Sequence, residues 1–128
     1  MERKIITVAA LMGMTAIILG AFAAHALKKY LSMDQLSSFE TGVKYQMYHA
    51  FFLLFLGVTT LIDEKVKKTM FLLIVFGVFF FSGSIYLLTT KAITSIDFSL
   101  FGIVTPIGGA LLIVAWAVLF WNIWKSKR

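Results

Sequence analysis

Charged residues in this chain fall in short clusters, and between them lie four uncharged runs, at residues 5–27, 45–62, 69–90 and 98–124. A helix needs roughly 20 apolar residues to cross the hydrocarbon of a bilayer, because each residue advances about 1.5 Å. Three of the runs meet that length, and the one at 45–62 barely does. Inside lipid every backbone amide and carbonyl must be satisfied within its own segment, which makes helices the solution for isolated runs of this kind. The pattern predicts an all-α membrane protein with four transmembrane helices in an up-down bundle. The spans are expected near 5–27, 45–62, 69–90 and 104–124, within one integral membrane domain, 1–128.

Short polar segments join the runs. The longest is 28–44, and Ser32-Met-Asp-Gln35 within it has the form of a capping box. In that motif a serine hydroxyl accepts from the amide three residues on, and a glutamine reaches back. Leu36 and Phe39 then share one side, so a short interfacial helix is expected before the second span, broken at Gly42. Asp63-Glu-Lys-Val-Lys-Lys68 reads as a tight charged turn, and 91–99 as the loop before the last span. Thr105-Pro106 has the form of a helix start, with threonine as the cap and proline at a position that needs no amide donor. Near the N-terminus, Arg3-Lys4, an apolar run and Ala24-His25-Ala26 imitate a signal peptide. The run exceeds the roughly 7–15 residues of a signal core, so 5–27 is read as a retained first span.

Composition agrees with this reading. Hydrophobic residues make up 60% of the 128 and charged residues 14%, with a mean hydropathy of +0.92, beyond what soluble domains carry. The net charge of +6 does not indicate nucleic acid, since the cations flank the spans and form no stripe. With an even number of spans, Arg3, Lys4, Lys65, Lys67, Lys68, Lys125, Lys127 and Arg128 share the side of the termini, against Lys28, Lys29, Lys44 and Lys91. Cations are favoured on the cytoplasmic side, which places both termini there. Trp121 and Trp124 suit the same interface. The chain has no cysteine, which excludes disulfides, thiolate metal sites and cysteine nucleophiles.

Polar groups within the runs gather on the side away from the termini, called the outer side below. His25 ends the first span there, and Tyr45, Gln46 and His49 open the second. Ser82-Gly83-Ser84 falls in the outer half of the third, and Thr105-Pro-Ile-Gly-Gly109 opens the fourth. At about 100° per residue, Gly42, Tyr45, Gln46 and His49 share one helix face that Leu53 and Leu56 continue, with Lys44, Met47, Phe51 and Phe55 opposite. Polar groups are costly in hydrocarbon, so Gln46 and His49 are expected to point inward and meet Ser82, Ser84 or Thr105.

Two readings stand. His25, Glu40, Tyr45, Gln46, His49, Ser82, Ser84 and Thr105 form a hydrogen-bonded clasp between helices, or they line a small polar, proton-responsive pocket. Close helix contacts are expected at Gly20, Ala24, Gly42, Gly83, Gly108 and Gly109, with Ala16, Gly20 and Ala24 as one small-residue seam. No catalytic constellation emerges. His25 and His49 with Glu40 lack metal-ligand spacing, Ser82 or Ser84 with His49 lacks an acid partner and an oxyanion site, and Gly108-Gly109 belongs to no phosphate loop. Glu40 and Lys44, four residues apart, read as a surface ion pair. No catalytic residue, cofactor or metal is assigned.

Four segments carry a resemblance: Gly20-Ala-Phe-Ala-Ala-His-Ala-Leu-Lys28, Phe39-Glu-Thr-Gly-Val-Lys-Tyr-Gln-Met-Tyr-His-Ala50, Phe81-Ser-Gly-Ser-Ile-Tyr-Leu-Leu88 and Thr105-Pro-Ile-Gly-Gly109. In this order and spacing they resemble the YgdD/YwdK family of small bacterial inner-membrane proteins, a domain of unknown function with a similar small transmembrane protein in animals. The resemblance covers nearly the whole chain. The family's pattern has glycine at Ala23 and often proline at Ile103. It implies a multi-pass protein of the cell (inner) membrane and brings no established activity. The expectation is a non-enzymatic membrane protein whose outer polar cluster organises the bundle and offers a contact to lipid, to a membrane-protein partner or to a second copy. The alternatives are a small transporter or channel subunit with a His/Gln/Ser-lined pocket, and an enzyme acting on lipid through His49 or Glu40.

Overall fold

The apolar runs become helices, and one polar-rich helix turns its polar face onto them. A computed structural model of the protein describes residues 1–90 and 101–126. The expected loop at 91–99, with Lys91, and the terminal Lys127 and Arg128 lie outside the described residues. Helix α1 covers Glu2–His25 and is followed by a 3-10 turn, Leu27–Lys29. Helix α2 is Met33–Val58, and α3 is Glu64–Val78. A π-helical turn, Phe79–Gly83, leads directly into α4, Ser84–Thr89, and α5 is Phe101–Trp124. Since α3, the π turn and α4 form one rod, four helical segments make up the bundle among the described residues.

Three stretches, Glu2–Lys29, Glu64–Thr89 and Gly102–Trp124, are long and apolar enough to cross a membrane. Helix α2 is as long, but Lys44, Gln46 and His49 interrupt its apolar character. Its polar stretch precedes the apolar one, as the pattern suggested. Protein covers one face of it: α1, α3, the π turn and α4 all pack on α2, while α5 packs on the rod from α3 to α4, and Tyr48, Phe51, Phe55 and Val58 on its other face are exposed. The chain is a small multi-span helical membrane protein.

Two expected boundaries move. No break occurs at Gly42, which sits buried in the middle of a continuous helix. A Cβ there would lie 2.9 Å from a Tyr86 ring carbon, so the glycine serves a close side-chain approach. Thr105 is not a cap either, because α5 begins at Phe101 and takes Pro106 into its interior. Proline has no amide to donate, so the carbonyl four residues earlier, that of exposed Gly102, loses its usual helical partner. The capping box at Ser32 does form: its Oγ accepts from Gln35 N at 3.2 Å, and Gln35 Oε1 accepts from Ser32 N at 2.9 Å.

Helices α1 and α2 meet antiparallel along a repeat of seven. Gly57 faces Ile6, Gly13 faces Ala50, and Gly20 faces Val43. A seven-residue step is the seam of two helices wound gently about each other. Ala9, Ala16 and Ala23, almost wholly buried, follow the same step. The expected seam is therefore shifted: Ala24 is exposed, Ala23 takes its place, and Gly20 is used within the chain.

At the other contact, α5 meets the rod backbone to backbone. A Cβ on Gly108 would fall 2.3 Å from Phe81 N and 2.7 Å from Phe80 C, so only glycine fits against the π turn. Gly109 makes ordinary contact with the Phe81 ring, and Gly83 has open space where a Cβ would stand. Of the six expected close contacts, Gly42 and Gly108 are tight.

The core divides in two. The larger cluster joins Ile5, Phe52, Leu53, Leu56, Met70, Ile74 and Leu112 toward the end that carries the termini. A smaller one joins Ala23, Leu27, Leu31 and Phe39 at the outer end.

Candidate functional site

Between the two apolar clusters, one face of α2 carries Gly42, Gln46 and His49, spaced four and three residues apart and all buried. Each has partners from other helices. Gln46 Nε2 donates to Met12 O at 2.9 Å and to Thr15 Oγ1 at 2.7 Å, which uses both of its hydrogens on α1. Its Oε1 accepts from the Tyr86 hydroxyl of α4 at 2.7 Å. Ser82 Oγ, wholly buried in the π turn, donates to Gly42 O at 2.7 Å. Trp116 Nε1 of α5 donates to His49 Nε2 at 3.0 Å, and His49 Nδ1 lies 2.7 Å from Tyr45 O. One rung above, Ser84 Oγ is bonded to Thr105 Oγ1, which links α4 to α5.

These rungs tie α2 to each of the other three segments. They also correct the expected partners, since Gln46 and His49 do not meet Ser82, Ser84 or Thr105. The reason lies in side-chain direction and length. Side chains tilt toward the N-terminus of their own helix, and α4 runs antiparallel to α2. The long Tyr86 side chain therefore reaches deeper into the bundle than its backbone and arrives at Gln46, while the short Ser82 stops at the α2 backbone. Depth is corrected too. Met12 and Thr15 lie at the middle of α1, and Trp116 is past the middle of α5, so the polar groups extend from the outer end to beyond the centre of the bundle.

Three expected members stand apart. His25 and Glu40 are exposed, away from the bonded set. Glu40 and Lys44, both exposed, are not within ion-pair distance. Tyr45 is half exposed: its ring lies against Tyr48, His49 and Phe81, and only its carbonyl joins the ladder. Sequence reasoning also missed Thr15, Tyr86 and Trp116. Their residue types read equally well as helix surface or interfacial aromatics, and only the hydroxyl of Tyr86 within the third uncharged run was a signal.

A further polar residue was missed at the end with the termini. Lys67, expected as a flanking cation, is 1% exposed. Its ammonium donates to Thr59 O at 2.6 Å, where α2 ends, and lies 3.5 Å from Glu2 and 4.0 Å from Glu64. A helix C-terminus leaves carbonyls without partners, and a lysine side chain supplies the donor.

Among the described residues, no buried side-chain nitrogen or oxygen lacks a hydrogen-bond partner, and no group of three or more His, Cys, Asp or Glu is placed to hold a metal ion. A cleft of about 300 Å³ opens beside the ladder between α1 and the third segment, lined by Val8, Met12, Gln46, Val78, Ser82 and Tyr86 among others. Its polar floor atoms on Gln46, Ser82 and Tyr86 are already engaged.

The family model described as "Protein of unknown function (DUF423)" matches residues 19–109. The chain belongs to this family. Similar relatives include a UPF0382 membrane protein of Haemophilus influenzae, 37% identical over 127 residues and covering 99% of this chain and 98% of the relative. The UPF0382 membrane protein YwdK of Bacillus subtilis is 34% identical over 119 residues, with coverages of 89% and 90%. The UPF0382 inner membrane protein YgdD of Escherichia coli is 30% identical over 130 residues, with coverages of 99% and 94%. No solved structure matches the chain. The segment matched to DUF423 holds the ladder residues from Gly42 to Thr105, while Met12, Thr15 and Trp116 lie outside it.

Proposed function

We propose that this protein is a non-enzymatic, four-span protein of the cell (inner) membrane in which the polar ladder on α2 acts as a clasp. Its bilayer-crossing segments are those near 5–27, 45–62, 69–90 and 104–124, α2 included, and both termini face the cytoplasm. The inner-membrane location carries over what is printed for the Escherichia coli relative. The clasp lets a helix too polar to stand in lipid alone cross the bilayer with its polar face turned onto the three apolar segments and its apolar face, with Phe51 and Phe55, left outward. The outward face of the bundle, with Ile17, Phe51, Phe79 and Ile113 exposed, is offered to lipid, to a partner or to a second copy.

The observation that supports the clasp best is the saturation of Gln46, whose two donors and acceptor oxygen are all engaged by α1 and α4. A binding pocket keeps polar atoms in reserve for its ligand. The test is Gln46→Leu, followed by thermal unfolding in detergent. Each interhelical hydrogen bond in a membrane contributes roughly 0.6–2 kcal/mol, so losing three should cost about 2–6 kcal/mol. A variant as stable as the parent sinks the clasp.

The transporter or channel reading draws on the cleft beside Gln46. The apolar cluster of Ile5, Phe52, Leu56 and Met70 lies between this cleft and the end with the termini, which opposes a continuous polar path. Solute flux into proteoliposomes that is abolished by His49→Ala would favour transport over the clasp.

A further inference from the structure

We propose that the end of the bundle carrying the termini is a collar that binds the headgroups of anionic phospholipids. Two features gather its parts. The Lys67–Glu2 pair ties the start of α1 to the first turns of α3. A polar cleft of about 210 Å³, lined by Leu61, Asp63, Asn122, Lys125 and Ser126, joins the α2–α3 turn to the end of α5. Arg3, Lys4, Lys65, Lys68 and Lys125 are therefore carried at one end, and all five are exposed.

Among the described residues this end holds six cationic side chains, Lys67 included, against three acids, Glu2, Asp63 and Glu64. Lys67 is turned inward and holds Glu2 and Glu64, the only salt bridges among the described residues. Among those residues, Asp63 alone remains at this end as an acid outside these pairs. Among the described residues the opposite end is nearly balanced, with Lys28, Lys29 and Lys44 beside Asp34 and Glu40, all exposed. The asymmetry among the described side chains is thus one of net charge, six cations less three acids giving +3 at this end, against three less two giving +1 at the other.

The ligand class follows from position. These cations surround the ends of membrane-crossing helices, where the anions within reach are lipid phosphates. Long aliphatic stems let lysine lie along the apolar surface and place its ammonium at headgroup depth. Trp121 and Trp124, exposed in the last turn of α5, belong at the same level. One cation near an anionic membrane surface raises affinity about fivefold, and several acting together give a measurable preference for anionic over zwitterionic lipid.

Tryptophan fluorescence tests this, because all three tryptophans, at 116, 121 and 124, lie in the half of α5 nearer the collar. The full chain is reconstituted into vesicles of phosphatidylcholine and phosphatidylglycerol, with acyl-chain bromine on one lipid or the other at matched mole fraction. Brominated phosphatidylglycerol should quench more strongly, with an apparent preference of about threefold or more. That preference should vanish near about 1 M salt, where the screening length falls to roughly 3 Å. It should also weaken in the variant combining Arg3→Gln, Lys4→Gln, Lys65→Gln and Lys68→Gln, which keeps Lys125, and persist unchanged when Lys28, Lys29 and Lys44 are changed to glutamine. Equal quenching by the two lipids in the unmodified protein overturns the proposal, as does a preference that survives high salt. The salt arm needs no variant, so it decides even if the fourfold change fails to reconstitute.

Discussion

Trp116 donates its indole N–H to His49 Nε2 at 3.0 Å, and the other ring nitrogen of His49 faces the Tyr45 carbonyl at 2.7 Å. An indole nitrogen only donates and a carbonyl only accepts, so the two partners together dictate one form of the ring. His49 is neutral, with its proton on Nδ1. Nitrogen NMR of histidine-labelled protein in detergent near pH 7 should show a protonated Nδ1 and a bare Nε2 for this residue. The opposite tautomer, or a doubly protonated ring, would contradict the geometry. The same arrangement leaves His49 without a free lone pair to act as a base.

Tyr86 and Gln46 offer a second test. Tyr86→Phe removes one donor and leaves Gln46 Oε1 without its partner. The expected loss is about 1 kcal/mol in denaturant unfolding, as is usual for one interhelical bond. In combination with Gln46→Leu the losses should fall short of additive by about the same amount, since the second change removes a bond already gone. Strict additivity would mean that the two side chains do not meet.

Two glycines of one contact should respond in opposite ways. Gly108→Ala drives a methyl group to within 2.3 Å of the Phe81 backbone nitrogen, and backbone cannot swing aside as a side chain can. A loss of about 3 kcal/mol or more, or failure to assemble, is expected. Gly83→Ala meets nothing within 4 Å at ordinary helical angles, and should be neutral or stabilising by up to about 1 kcal/mol. Equal thermal shifts for the two would refute the close approach of α5 to the π turn.

Lys67 differs from the acids beside it. Lys67→Ala removes a charged donor from the Thr59 carbonyl and empties a buried site, for a cost of about 2–3 kcal/mol. Glu2 has a 59% exposed side chain and returns to water when the pair is broken, so Glu2→Gln should cost less than about 1 kcal/mol. Chemical unfolding of both variants in one detergent gives the comparison. A larger effect at Glu2 would show that the ion pair, and not the helix-end carbonyl, holds Lys67 in place.

Much of this was legible in the residues alone. Four uncharged runs, a capping box at Ser32 and the one-sided placement of Gly42, Gln46 and His49 are consequences of spacing along a single helix. Helix length, cap chemistry and facial periodicity are local properties, so a linear reading reaches them. The motif set from Gly20 to Gly109 was also sufficient to indicate the family.

Which groups meet across the bundle was decided only by tertiary structure. Gln46 takes Thr15 and Tyr86 in place of a nearby serine, because antiparallel helices tilt their side chains in opposite directions and tyrosine outreaches serine. Gly42 does not break α2, because Tyr86 packs where its Cβ would be, and Pro106 enters α5 because the helix starts before it. Lys67, indistinguishable in the sequence from the cations around it, is the one drawn inside by the open carbonyl of Thr59. The linear pattern determined which segments form long apolar helices and which face of α2 turns inward. The partners of that face were set by helix register and side-chain reach, which depend on how neighbouring helices dock.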